Sequence, residues 1–169
     1  LKTMTTKLQT MTKDVAQHRD EIIERMVNFS LTDTLLLRSP DAAELIEEER
    51  KIWDPIVDWA KECMEADYVP SESLEIPLEN NASLPRLQVF LEGLSDKELA
   101  AFYEASRITK SVLLAAALIR KRLTAEEAFK AAFLEEIWQA DKWGHDEEAD
   151  KRREVIRQEL ADVEAFLAD

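Results

Sequence analysis

The eight residues Val112-Leu-Leu-Ala-Ala-Ala-Leu-Ile119 contain no polar side chain, in a chain of 169 residues of which 34% are charged. A run this short cannot span a membrane, which takes about 20 apolar residues. In a soluble chain, a helix that is apolar on every side must be wrapped by other helices. The run therefore predicts a central helix with amphipathic helices packed round it.

The flanking sequence supplies such helices. Val15, Ile22, Ile23, Met26 and Phe29 share one face of a helix expected to begin near Thr12 and to end before Thr32-Asp33-Thr34, after which Leu35 to Leu37 continue as apolar wall. Ser39-Pro40-Asp41 reads as a turn, with Asp41 capping a helix through Leu45, Ile46 and Ile52 to Trp53. Pro55 then predicts a restart as a short helix from Ile56 to Glu65. Residues 67–83, with Pro70, Pro77, three serines and two asparagines, favour an extended connector holding at most a short strand near 68–76. Leu84 to Glu92 reads as a helix stopped by Gly93, and Ser95 with Glu98 has the spacing of a capping box. Ala105 to Ala125 carries five bases and no acid, so it reads as a cationic internal organiser between anionic neighbours. A second capping-box spacing, Thr124 with Glu127, opens a helix presenting Ala128, Phe129, Ala132, Phe133, Ile137 and Ala140 until Gly144, and a last helix covers Asp146 to Ala168. The fold class expected is all-α, one domain over residues 1–169 with six to eight helices.

Chemistry is harder to find. A net charge of −14 disfavours nucleic acid as a partner. With only Gly93 and Gly144 there is no glycine-rich phosphate loop. Cys63, His18 and His145 are too few for a Cys/His zinc site, and the residues three before the histidines are Val15 and Lys142, not the glutamate of a di-iron bundle. No catalytic residue, metal or cofactor is therefore expected, nor membrane insertion. Most acidic runs read as solvated faces. Glu135 and Glu136 differ because Phe133, Leu134, Ile137 and Trp138 surround them in sequence, so a half-buried carboxylate there needs a partner: either Arg107 or Arg120 in a salt bridge, or a group on another molecule. Trp53 and Trp59 read as core, whereas Trp143 beside Gly144 reads as an edge residue.

An ordered set of short motifs adds a resemblance. Thr32-Asp33-Thr34-Leu35-Leu36 followed by Arg38, Trp53-Asp54-Pro55 with Trp59-Ala60, Leu94-Ser95 and Glu98-Leu99-Ala100 come first. Arg122-Leu-Thr-Ala-Glu-Glu-Ala128, Leu134-Glu135-Glu136, Trp138-Gln139 and Trp143-Gly144 follow. Over about residues 20 to 165 the chain resembles the ATP-twelve family, assembly chaperones of the mitochondrial and alphaproteobacterial F1-ATPase. It departs from the family at Lys121, where glycine is frequent, and at His145, where an acid is common. The resemblance implies an ATP-independent holding chaperone that binds the unassembled F1 α subunit, works as a monomer in the mitochondrial matrix or the alphaproteobacterial cytoplasm, and needs no cofactor. It also implies that the present chain is the C-terminal helical domain, with a β-rich domain upstream. The family's functional emphasis falls on Glu135 to Gly144, which makes Glu135, Glu136, Trp138, Gln139 and Trp143 the candidate partner-binding residues. The rival expectation is a helical adaptor whose partner binding lies in the upstream domain.

Overall fold

The computed structural model describes residues 3–38, 40 and 42–169. Among them are eight α-helices: α1 (Met4–Phe29), α2 (Ala43–Met64), α3 (Leu84–Glu92), α4 (Asp96–Thr109), α5 (Val112–Ile119), α6 (Ala125–Ala132), α7 (Leu134–Trp143) and α8 (Glu147–Ala168). Every residue of α5 is buried, as its sequence demands. α4 packs against α5, α1 and α8, while α2 and α6 also lie on α5. Their inward faces join into one core cluster that includes Leu8, Trp53, Phe102, Leu114 and Leu160.

Local chemistry explains most helix starts. Ser95 and Thr124 both make complete capping boxes, with Glu98 and Glu127 respectively. The Asp146 side chain accepts from the Ala149 backbone N–H at 3.1 Å and caps α8.

Several starts and stops differ from the sequence expectation. α1 begins at Met4, not near Thr12, because Met4 and Leu8 extend the buried stripe by two turns. A kink at His18 (φ −128°, ψ 32°) lets the long helix stay on the core. Pro55 does not restart a helix but lies inside α2. It costs the bond to the carbonyl of Lys51, an exposed position where water can serve that acceptor. The stretch from Ala105 to Ala125 is not one helix. Lys110 takes a left-handed conformation (φ 57°), and Ser111 caps α5 through the Leu114 N–H. Its cations do not organise the interior: Arg107 pairs with Glu104 of its own helix at 2.7 Å, and Arg120 pairs with Glu98 at 3.3 Å. Lys121 is also left-handed, at φ 60°, a conformation that glycine adopts more easily. The turn and cap expected at Ser39 and Asp41 lie outside the described residues.

Buried polar side chains hold the non-helical connections. Asp33 accepts from the backbone N–H of Leu35 at 2.9 Å and of Leu113 at 3.1 Å, tying the end of α1 to the start of α5. Burial pushes its pKa up to about 6 against the pull of those bonds. Arg38, also buried, donates to the Leu35 carbonyl at 2.8 Å and to Asp54 at 2.6 Å, with its guanidinium 5.5 Å from the centre of the Trp53 ring. The Trp53 indole in turn donates to the Ala131 carbonyl at 2.8 Å. The connector near 68–76 forms no strand beyond a single parallel bridge between Leu37 and Ser71. Its backbone is served instead by the Asn80 side chain, which bonds both the N–H and the carbonyl of Val69.

Candidate functional site

The five candidate residues all fall on α7, the helix that buries none of its residues. It is separated from α6 by Phe133, whose φ of −106° and ψ of 19° break the single helix expected from Thr124 to Gly144. Phe133 stacks on Phe129 with ring centres 5.2 Å apart, and it packs with Leu134 and Ile137 against the core from partly exposed positions. Those contacts seat α7, which is open to solvent mainly at Gln139 and over its last turn, Asp141 to Trp143. Glu135, Glu136 and Trp138 are half-buried, Gln139 is exposed, and Trp143 is 76% exposed. Glu135, Trp138 and Gln139 stand at i, i+3 and i+4 and share one face, while Glu136 and Trp143 lie two turns apart on a neighbouring one.

Glu136 does not pair with Arg107 or Arg120. It accepts from Arg152 at 2.6 Å and from Arg153 at 2.7 Å, both on α8. The cause is the turn at Gly144, whose φ of 120° belongs to glycine's range and brings the first turns of α8 back beside α7. Arg153 is buried and also pairs with Asp150. Across the same turn, His145 bonds Asp141 through Nε2 at 2.8 Å and Asp150 through Nδ1 at 2.9 Å. The bond to Asp150, reinforced by that to Asp141, raises the His145 pKa above its ordinary value; His145 lowers that of Asp150 in return. Asp141, His145, Asp150, Arg153, Glu136 and Arg152 thus form one chain of contacts that fixes the corner.

Lys142 completes the surface, with its ammonium 4.7 Å from the centre of the Trp138 ring and 5.6 Å from that of Trp143. The sequence reading missed Lys142, Arg152, Arg153 and the linking role of His145. A local signal existed for two of them: Lys142 follows Trp138 by four, and Arg153 follows Asp150 by three. Contact across Gly144 has no such signal. Among the described residues, no group of three or more His, Cys, Asp or Glu could hold a metal ion, and no helix is long and apolar enough to cross a membrane. What the corner offers is indole area and side-chain amide on a backbone held in place by ion pairs, the chemistry of contact with another macromolecule.

Fold and site together define an all-helical domain with a single core and one open, aromatic-bearing helix at its edge. The family described as ATP12 chaperone protein matches residues 1–61. Protein atp12, mitochondrial, of Schizosaccharomyces pombe is 25% identical over 154 residues, 85% of this chain and 53% of that protein. The crystal structure of Atp12 from Paracoccus denitrificans has a TM-score of 0.90 at 25% identity, covering 96% of this chain and 70% of that one. A protein from Agrobacterium tumefaciens gives a TM-score of 0.85 at 28% identity, over 99% of this chain and 64% of that one. The chain is thus similar to the ATP12 chaperone family, in sequence over residues 1–61 and in fold over nearly its whole length. It spans about half the length of the yeast relative.

Proposed function

We propose that this chain is the helical domain of a chaperone for assembly of the F1-ATPase. It binds the unassembled α subunit without ATP and keeps it from aggregating until it pairs with β. The observation that carries this reading is the openness of α7, which buries none of its residues and ends in an exposed Trp143. A subunit awaiting its partner exposes apolar surface, and a chaperone need only cover that surface reversibly. Trp138 and Trp143 supply contact area, Gln139 supplies adaptable hydrogen bonds, and Glu135 and Glu136 give the surface its polarity. The charge of −14 keeps the chaperone soluble and steers encounter. None of this calls for a metal, a cofactor or a second copy. The compartment proposed is the mitochondrial matrix, in keeping with the name of the yeast relative; the bacterial relatives make the alphaproteobacterial cytoplasm the other setting. A β-rich domain is expected upstream of residues 1–169 in the whole protein.

Light scattering of isolated α subunit as it aggregates tests the reading. The chain should suppress scattering at near-equimolar ratio and leave unrelated aggregating proteins unprotected. Trp143→Ala and Glu135→Lys should each weaken suppression several-fold while far-UV circular dichroism stays unchanged. If residues 1–169 do not bind α subunit but a two-domain protein does, the helical part is a scaffold.

A further inference from the structure

A second surface of opposite character lies between α2 and α6. There a groove of about 280 Å³ has Ile56, Leu123 and Ala131 as its buried floor. Ile52, 37% exposed, and Pro55 form an apolar lip on α2. Lys51, Arg122 and Lys130 stand round the rim, all exposed. Among the described residues the one acid of the lining, Glu127, turns its carboxylate to the start of α6, where it accepts from the Thr124 N–H at 2.9 Å. Neither Lys51 nor Arg122 makes an ion pair among the described residues, and Lys130 reaches only Glu126, at 3.8 Å. The rim is thus net positive in a molecule of charge −14.

The groove is smaller than the roughly 300–1,000 Å³ of small-molecule sites, and its floor offers no convergent polar groups to orient a metabolite. Its size suits one or two apolar side chains of a polypeptide. Lys51, which makes no ion pair among the described residues, and the exposed Arg122 and Lys130, whose nearby acids Glu127 and Glu126 are outnumbered once Lys51 is added, would meet acids on that polypeptide. Pro55 adds a reason to look for backbone, because it cannot donate the helical bond to the Lys51 carbonyl at the lip. The geometry points to a docking site for a short acidic peptide segment anchored by a large apolar side chain. The floor supplies affinity, while Lys51, Arg122 and Lys130 select the charge. This inference stands apart from the α-subunit reading, since neither its residues nor its test involves that subunit.

The test uses two fluorescein-labelled peptides, one with a central Phe-Leu pair flanked by Glu and Asp, the other identical but flanked by Lys. Fluorescence anisotropy should show the acidic peptide binding, with affinity falling as salt rises, and the lysine peptide not binding. Combining Lys51→Glu with Arg122→Glu should weaken the acidic peptide roughly tenfold or more, because two of the three rim cations reverse. Lys7→Glu combined with Lys13→Glu on α1 makes the same change in net charge at exposed positions elsewhere and should leave binding near wild type. Ile52→Ser should weaken binding without altering its salt dependence. Equal binding of both peptides would overturn the proposal. So would equal losses in the two double variants, or sedimentation showing that the groove instead joins two copies of the chain.

Discussion

A carboxylate with no access to water is costly, and Asp33 persists in the core because α5 needs what it does there. An eight-residue helix has four N–H groups at its start without helical partners. Ser111 answers one of them from the local sequence, while Asp33 answers Leu113 from 80 residues away. Removing it in Asp33→Ala should lower stability by about 1–3 kcal/mol for each donor left unmade, measured by urea denaturation. The sign of the pH effect follows from the raised pKa. The folded protein holds its Asp33 proton more tightly than the unfolded chain, so this residue's contribution is complete below pH 3.8 and is lost as pH rises through about 6. Asp33→Asn should therefore remove a downward slope of stability with pH over that window, read as the wild-type-minus-variant difference. In the sequence, Asp33 is legible only as part of a helix-ending Thr-Asp-Thr. Nothing local tells that its carboxylate reaches α5, just as nothing local to Arg38 tells that it will lie over Trp53.

Whole elements are more legible than their boundaries, because periodicity survives where a single turn residue does not declare itself. α3 and α8 were readable from Gly93 and Asp146, and the capping boxes of α4 and α6 from spacing alone. The breaks after α4 and α6 were not, since Lys110 and Phe133 occupy positions where neither glycine nor proline marks a stop. The second break matters to the site, because it frees α7 to turn about its own axis and leave Trp143 in water. Beside the packing of Leu134 and Ile137 on the core, α7 is held to α8 by Arg153, which joins Glu136 to Asp150. Arg153→Ala should cost about 1.5–3 kcal/mol, the range for hydrogen bonds to charged groups. Amide exchange should speed up over α7 and the first turns of α8 while α4 and α5 keep their protection. Uniform loss of protection would mean that the corner and the core unfold together.

At the scale of the whole molecule the central apolar helix sets the cooperativity. α5 touches α2, α4, α6 and α8, and α4 carries α1, so a defect in α5 has a short path to every long helix. Leu114 is fully buried at the middle of this arrangement. Leu114→Ala leaves a cavity whose walls belong to helices already fixed by other contacts and unable to close it, at a cost of about 2–5 kcal/mol. Against a total of roughly 5–15 kcal/mol for an ordinary domain, that is a large part of the stability. Protection in α1, α4 and α8 should therefore fall together by the same free energy, with one unfolding transition seen by both circular dichroism and tryptophan fluorescence. Separate transitions, with α1 outlasting α8, would show that the helices form two units, and that the apolar run holds one of them without organising the whole.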